Sequence, residues 1–316
     1  MNENDNEVAK SDVKLPEAGE NTRCGFVALV GAPNAGKSTL LNALVGTKVS
    51  IVTQKAQTTR AQIRGVVTEG ESQIVFIDTP GIFAPKRRLD RAMVEAAWAG
   101  AGDADYVALI LDVQKGVTPD IETLLNSLAE STSPKVLVLN KVDLIKREEL
   151  LKLSEGLNER MRFEATFMIS ALSGSGVKDF LAWAMARIPL GPWHFPEDQL
   201  TDLTLALTAA EVTREKLFLR IHDEIPYNAT VETEKFTVQK DGSYKIDQVI
   251  YLAREAHKKI VLGAGGQTIK SIGADSRKEL MAMYEVPVHL FLFVKVREKW
   301  GDDPERYREM GLEWTK

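Results

Sequence analysis

Through the first 190 residues, short apolar runs alternate with longer stretches in which apolar positions recur every three or four residues. Phe26-Val27-Ala28-Leu29-Val30, Gln73 to Ile77, Val107 to Asp112, Lys135 to Leu139 and Thr166 to Ile169 are short and mostly rich in β-branched side chains. That pattern predicts strands buried on both faces. Between and after them, Thr39 to Val45 (stopped by Gly46), Leu89 to Ala101, Pro119 to Leu128 and Gly176 to Ile188 have helical spacing, one with a proline near its start. Alternation of this kind predicts an α/β domain with a mostly parallel sheet covered by helices. Val49 to Gly65 reads as a loop.

The pattern changes after Pro189. Three prolines and few periodic apolar positions mark residues 189–202 as a connector, with Trp193 expected to anchor it to a domain surface. Leu205 to Arg220 is helical. Ala229 to Gln239 and Tyr244 to Ala253 alternate around Asp241-Gly242, a hairpin signal. A short helical turn (His257 to Leu262) runs into Gly263-Ala264-Gly265-Gly266. Then follow a helix (Gln267 to Tyr284), a strand (Val288 to Val296) and a terminal helix (Pro304 to Leu312). This half reads as α+β. The expected division is a tail (1–20), a first domain (21–190), a linker (191–203) and a second domain (204–316), which suits 316 residues at a soft prior of roughly 150 per domain.

Composition adds little to the fold and more to the exclusions. With 44% hydrophobic residues, two ordinary cores are available. No apolar run approaches the ~20 residues of a membrane span. Residues 1–20 hold six acids and two lysines, unlike a secretory signal, and read as a disordered tail. Cys24 stands alone, so no internal disulfide exists and a reducing compartment is expected. Net charge is −5, yet Tyr251 to Lys299 carries nine Lys/Arg against five acids, a local basic excess.

The chemistry begins at Gly31-Ala32-Pro33-Asn34-Ala35-Gly36-Lys37-Ser38, followed by Thr39. It fits G-x-x-x-x-G-K-[ST] between a strand and a helix, the phosphate-binding loop of P-loop proteins. Backbone N–H groups and the helix N-terminus face phosphates there, Lys37 reaches the β- and γ-phosphates and Ser38 holds Mg²⁺. Asp78-Thr79-Pro80-Gly81 closes the next strand, where a carboxylate can hold Mg²⁺ through water and Gly81 lets the backbone approach a γ-phosphate. Thr59, within Thr58-Thr59-Arg60, is a further metal candidate. Asn140-Lys141-Val142-Asp143 follows another buried strand. An ionised Asp143 accepts hydrogen bonds only, which suits the two donors of guanine and mismatches adenine.

The ordered set GAPNAGKS, TTR, DTPG, NKVD and SAL (Ser170-Ala171-Leu172) resembles a translation-factor-related GTPase. Ile82 after DTPG resembles the class with a hydrophobic residue where other members place a water-positioning glutamine. That resemblance implies slow hydrolysis bearing on Lys37, Thr59, Gly81 and Asn34, with Mg²⁺ at Ser38, Thr59 and Asp78. It also implies K⁺ as a second candidate cofactor, with Asn34 as its ligand. Arg60 is a weak candidate for an arginine finger. Gly263 to Gly266 and its surroundings resemble a type II KH domain, which implies single-stranded RNA bound near Gly263, Ala264, Gly265, Gly266, Lys258, Lys259 and Lys270. Ala264 departs from the basic residue usual in that loop, which shifts phosphate affinity to the lysines. His257 reads as a surface histidine.

A GTPase domain followed by a type II KH domain resembles the Era family of bacterial GTPases. The resemblance implies binding of GTP and GDP, contact with small-subunit ribosomal RNA and the small ribosomal subunit, and action in its assembly. It also implies a monomer in the cytoplasm, with peripheral contact at the inner membrane face left open. Two alternatives stay open here: a regulatory GTPase whose second domain binds a protein, and a metabolic phosphotransferase, against which NKVD argues.

Overall fold

The computed structural model describes residues 21–314, apart from 56, 84, 86, 223 and 299 and the side chains of 305 and 309. The acidic stretch 1–20 and Lys299 of the basic stretch lie outside the described residues. The first half runs β1 (Arg23–Val30), α1 (Lys37–Val45), β2 (Ile63–Glu69), β3 (Ser72–Asp78), α2 (Arg88–Gly102), β4 (Tyr106–Asp112), α3 (Pro119–Glu130), β5 (Lys135–Asn140), α4 (Arg147–Arg160), β6 (Ala165–Ile169) and α5 (Val177–Met185). Six strands form one sheet in the order β2-β3-β1-β4-β5-β6. All neighbours are parallel except β2, which runs antiparallel to β3. Residues on alternate sides of the same strand, such as Leu29 and Ala28 of β1, enter two separate apolar clusters, one over each sheet face. That is why the strands read as continuous apolar runs.

Two elements differ from the sequence expectation. Residues 63–69, placed partly in a loop and otherwise unassigned, form β2. Its register is set by the ladder to β3 across a tight turn at Gly70, and Gly65 lies against Leu41 and Val45 of α1. Residues 147–160, unassigned from sequence, form α4. Only Leu150 and Leu157 of this helix are buried, so its apolar periodicity is too thin to stand out.

The second half runs α6 (Leu205–Arg220), β7 (Ala229–Val238), β8 (Tyr244–Leu252), α7 (Glu255–Leu262), α8 (Gln267–Tyr284), β9 (Val288–Val296) and α9 (Pro304–Glu309). The sheet order is β7-β8-β9, antiparallel then parallel. Helices α6, α7 and α8 pack on one face around Leu217, Ile250, Leu252, Val261 and Ile272.

The connecting segment is strapped to the exposed edge of the first sheet. Val66 N–H donates to Leu200 O at 2.9 Å, and Arg64 pairs with Asp202 at 2.8 Å. Trp193 Nε1 donates to Glu71 O at 3.2 Å. An unpaired edge strand invites association, and this strap covers it. Gln73, fully buried in β3, is the central tie: its Oε1 accepts from the His194 and Phe195 N–H groups at 3.0 Å each, and its Nε2 donates to Phe195 O at 2.8 Å. At the far end, Trp300, Tyr307 and Leu312 pack on Leu89, Ala92 and Met93 of α2, so the C-terminal segment joins the two halves through an apolar cluster. Among the described residues no helix is long and apolar enough to cross a membrane.

Replacing Gln73 with alanine leaves three backbone groups of the strap without their partner. Gln73→Ala should lower stability by about 3 kcal/mol, measured as the shift in the urea unfolding midpoint; a loss under about 1 kcal/mol would show that the tie contributes little.

Candidate nucleotide site and nucleic-acid interface

The C-terminal ends of the parallel strands point at one crevice, where ligands of open α/β sheets bind. It encloses about 890 Å³, within the range of small-molecule sites. Its walls come from the β1–α1 loop, residues 51–55 and 57–59, Gly81, Asn140, Lys141, Asp143 and Leu144, the 170–172 loop, and Phe218, Leu219 and His222 of the second half. Gly36 shows why the β1–α1 loop needs its glycines: φ is +100°, and a Cβ there would sit 2.2 Å from Asn140 Nδ2. Asn34 also has positive φ, and its Nδ2 donates to Gln54 O at 2.8 Å. Pro33 lies against Gly81, and Ile82 N–H donates to Gly31 O at 3.1 Å, so the 78–82 loop touches the phosphate loop directly. Thr39 lines the same crevice.

Lys37 opens α1 and curls back over the loop, its Nζ donating to Gly31 O at 3.1 Å and Ala32 O at 3.2 Å. Burial pushes its ammonium down to about 8, and the Asp78 carboxylate partly opposes the shift. Asp78 is itself fully buried. Its Oδ2 accepts from Ser38 at 2.6 Å, Ser50 at 3.0 Å and Thr59 at 3.2 Å, and Ser38 and Thr59 are 2.9 Å apart. Its Oδ1 is enclosed with no partner. Burial pushes the Asp78 carboxyl up, while Lys37 and the three hydroxyl bonds pull it down. An orphaned buried carboxylate oxygen beside converging hydroxyls fits a hard cation such as Mg²⁺ or its bound water. Ser50 belongs to this group, but no motif marks it in the sequence. Thr79 and Pro80 are buried, and Thr79 Oγ1 donates to Leu29 O at 2.8 Å, so that hydroxyl serves the sheet.

At the other end of the crevice, Asn140 ties three loops. Its Nδ2 donates to Ala35 O at 2.8 Å, while its Oδ1 accepts from Lys141 N–H at 2.8 Å and Ala171 N–H at 3.0 Å. Lys141 takes positive φ, and its Nζ donates to Asp112 Oδ2 at 2.6 Å and Asn34 O at 3.0 Å, laying its stem across the crevice. Asp112, at the end of β4, is a site residue the sequence reading did not single out. Val142 is half-buried and packs against an apolar core cluster, whereas Asp143 is exposed in the turn after β5 and lines the crevice. Ser170 is buried, with its N–H bonded to Ser175 O at 3.0 Å, whereas Leu172 is 88% exposed.

Arg60 corrects an expectation. It turns away from the crevice, 3% exposed, and donates to Ala229 O at 2.8 Å and Pro226 O at 3.0 Å between the rings of Phe218 and Trp300. Burial lowers its guanidinium to about 9. It joins the two halves and does not face the phosphates.

In the second half, Gly263, Gly265 and Gly266 all have positive φ. Thr268 Oγ1 lies 2.2 Å from where a Gly263 Cβ would be, while the space around Gly265 is open, leaving the backbone approachable. Ala264, Lys259 and Lys270 are exposed, and Lys258 is half-buried, 3.8 Å from Glu255. His257, read as a surface residue, is half-buried with its Nδ1 enclosed and unpartnered.

Two family profiles match: "50S ribosome-binding GTPase" over residues 26–141 and "KH domain" over residues 224–301. GTPase Era of Bradyrhizobium sp. (strain BTAi1) is 59% identical over 298 residues, 94% of this chain and 97% of that one. GTPase Era of Rhizobium meliloti (strain 1021) is 60% identical over 295 residues, 93% and 94% of the two chains. The chain belongs to the Era GTPase family. A crystal structure of Era with MgGDPNP and nucleotides 1506–1542 of 16S ribosomal RNA superposes with a TM-score of 0.87 at 37% identity, covering 92% of this chain and 99% of that one. A variant of Aquifex aeolicus Era bound to GDP and AlF4⁻ gives 0.87 at 36%, with the same coverage.

Lys37 makes this site pH-sensitive. Its folded-state pKa lies below the free value of 10.5, so the cost of holding it charged is present in full below about 8 and is relieved as pH rises toward 10.5. Phosphates beside the ammonium would raise that pKa. Lys37 should therefore take up a proton on nucleotide binding near pH ~8.5 and none near pH ~6.5, measured calorimetrically in buffers of different ionisation enthalpy. Lys37→Met should abolish the uptake.

Proposed function

We propose that the protein is a GTP-hydrolysing switch that binds 16S ribosomal RNA through its KH half and acts in small-subunit assembly, as a cytoplasmic monomer. Residues 21–190 form the GTPase unit, 191–203 the link and 204–316 the RNA-binding unit. One observation carries the reading. A single crevice holds the buried Lys37 for phosphates at one end, with the Asp78 carboxylate bonded behind its Ser38 and Thr59 wall for a metal, and the exposed Asp143 carboxylate for a base at the other. The same chain exposes a glycine loop suited to a nucleic-acid backbone. The first profile's description names the large subunit, but it spans only 26–141. The Era complex that aligns with 92% of the chain holds 16S RNA, and that favours the small subunit.

The residues divide the work. Backbone N–H groups of Gly31 to Thr39 cradle the phosphates, and Lys37 places its charge beside the β- and γ-oxygens. Ser38, Thr59 and Asp78 would hold Mg²⁺, which when bound would neutralise developing charge on the phosphates. Asn140 and Ala171 fix the loops around the base, and Asp143 accepts its two donors. Ile82 is 5% exposed and apolar, so its side chain can neither orient nor deprotonate water. Hydrolysis therefore rests on electrostatic positioning by the loop, which fits a slow timer. Asn34 Oδ1, whose amide partner is already bound to Gln54, is the atom available to a K⁺ ion.

Two experiments test this. The intact chain should bind a 3′-terminal small-subunit RNA fragment with an affinity that falls as salt rises, and that differs between GTP-analogue and GDP states, with an ATP analogue giving no shift. Absent or salt-insensitive RNA binding would favour a protein partner for the second half. Turnover measured in K⁺ should exceed that in Na⁺; equal rates would remove the K⁺ role of Asn34.

A further inference from the structure

Thr59 stands at the metal site, but among the described residues the segment that carries it has no helix or strand of its own between residues 46 and 62. It is tied to the first half by Gln57, whose Nε2 donates to Asp90 Oδ1 at 2.8 Å, and by further contacts to the second half. Arg214 of α6 is 2% exposed and donates through Nη2 to Thr58 O and through Nη1 to Gln57 O at 3.4 Å. Its guanidinium lies over Phe218 at 5.1 Å, and Glu211 holds its Nε at 2.8 Å, so the fork is aimed before any ligand arrives. On the other side of Thr59, Arg60 runs the opposite way, into the carbonyls of Pro226 and Ala229. Upstream, Glu215 Oε1 accepts from Val52 N–H at 2.9 Å, and Lys55 Nζ donates to Phe218 O and Ile221 O. Thr59 is thus held between two buried guanidiniums, one from each half of the chain.

We propose that Arg214 is a positioning residue for the metal-binding threonine: by holding the 57–58 carbonyls it sets Thr59 Oγ1 against Ser38 and Asp78. The RNA-binding half then completes the metal site used by the triphosphate. The inference rests on the reading of Thr59 as a metal ligand. Without Arg214, two carbonyls lose a charged donor and the segment gains conformations. The cost of ordering it then falls on metal-triphosphate binding, which lowers the apparent affinity by the fraction of the competent state. GDP makes no such demand, because segments of this kind are ordered by the γ-phosphate and its metal.

The test uses the intact protein with Arg214→Gln, Arg214→Lys and Thr59→Ala, measuring affinities for GDP and a GTP analogue, and hydrolysis, across a Mg²⁺ titration. Arg214→Gln should weaken the GTP analogue, and raise the Mg²⁺ needed for half-maximal hydrolysis, about tenfold. GDP affinity should stay within about twofold, which also reports an intact fold, and Arg214→Lys should recover part of the loss. Equal weakening of GDP and GTP analogue, or an unmoved Mg²⁺ requirement, would overturn the proposal. Thr59→Ala separates the two ideas. If it shifts the Mg²⁺ requirement and Arg214→Gln does not, the positioning role fails alone; if Thr59→Ala shifts nothing, the metal reading of Thr59 fails with it.

Discussion

A carboxylate without access to solvent organises this molecule. Asp78 ends β3 inside the protein, one oxygen shared among three hydroxyls and the other unpartnered. An isolated charge so placed is costly, and removing one partner of a buried pair costs more than the pair contributes. The surrounding structure supplies compensation from several elements: Lys37 and Ser38 from α1, Ser50 and Thr59 from the segment before β2. What holds each of those in place follows from the same requirement.

That requirement reaches beyond the first sheet. Among the described residues the segment with Ser50 and Thr59 has no helix or strand, so side chains define it: Asn42 of α1 holds Val49 and Ser50, and side chains of the second half add further ties. Lys48 reaches Glu215 at 2.6 Å and also Glu279, Arg214 caps the 57–58 carbonyls and Arg60 returns the contact. The apolar seam of Trp300, Tyr307 and Leu312 against α2 keeps the halves in register for these polar contacts. These named contacts form a connected route of packed side chains from the second half to the hydroxyl cluster at Asp78.

The base end of the crevice is more self-contained. Asn140 binds three loops of the first half, and its position requires Gly36 to lack a side chain. Asp143, in the same motif, is exposed where Asn140 is buried. Within one tetrapeptide, burial thus separates the residue that ties the loops from the one open to a ligand.

Strand and helix alternation, the phosphate loop and the base motif were legible in the residues, because each depends on local backbone chemistry: glycines at positive φ, apolar runs buried on both faces, a carboxylate after a strand. Strand β2 and helix α4 were not, since the first is specified by its ladder to β3 and the second buries two leucines only. Ser50 and Asp112 carry no motif, and only convergence in space brings them to the site. Arg60, adjacent in sequence to a metal candidate, pointed by proximity toward the phosphates; packing between Phe218 and Trp300 turned it the other way. The sequence by itself determined which chemical groups each loop carries. Only the tertiary structure decided that the second half closes the site of the first, because that depends on side chains more than 150 residues apart meeting in a buried interface.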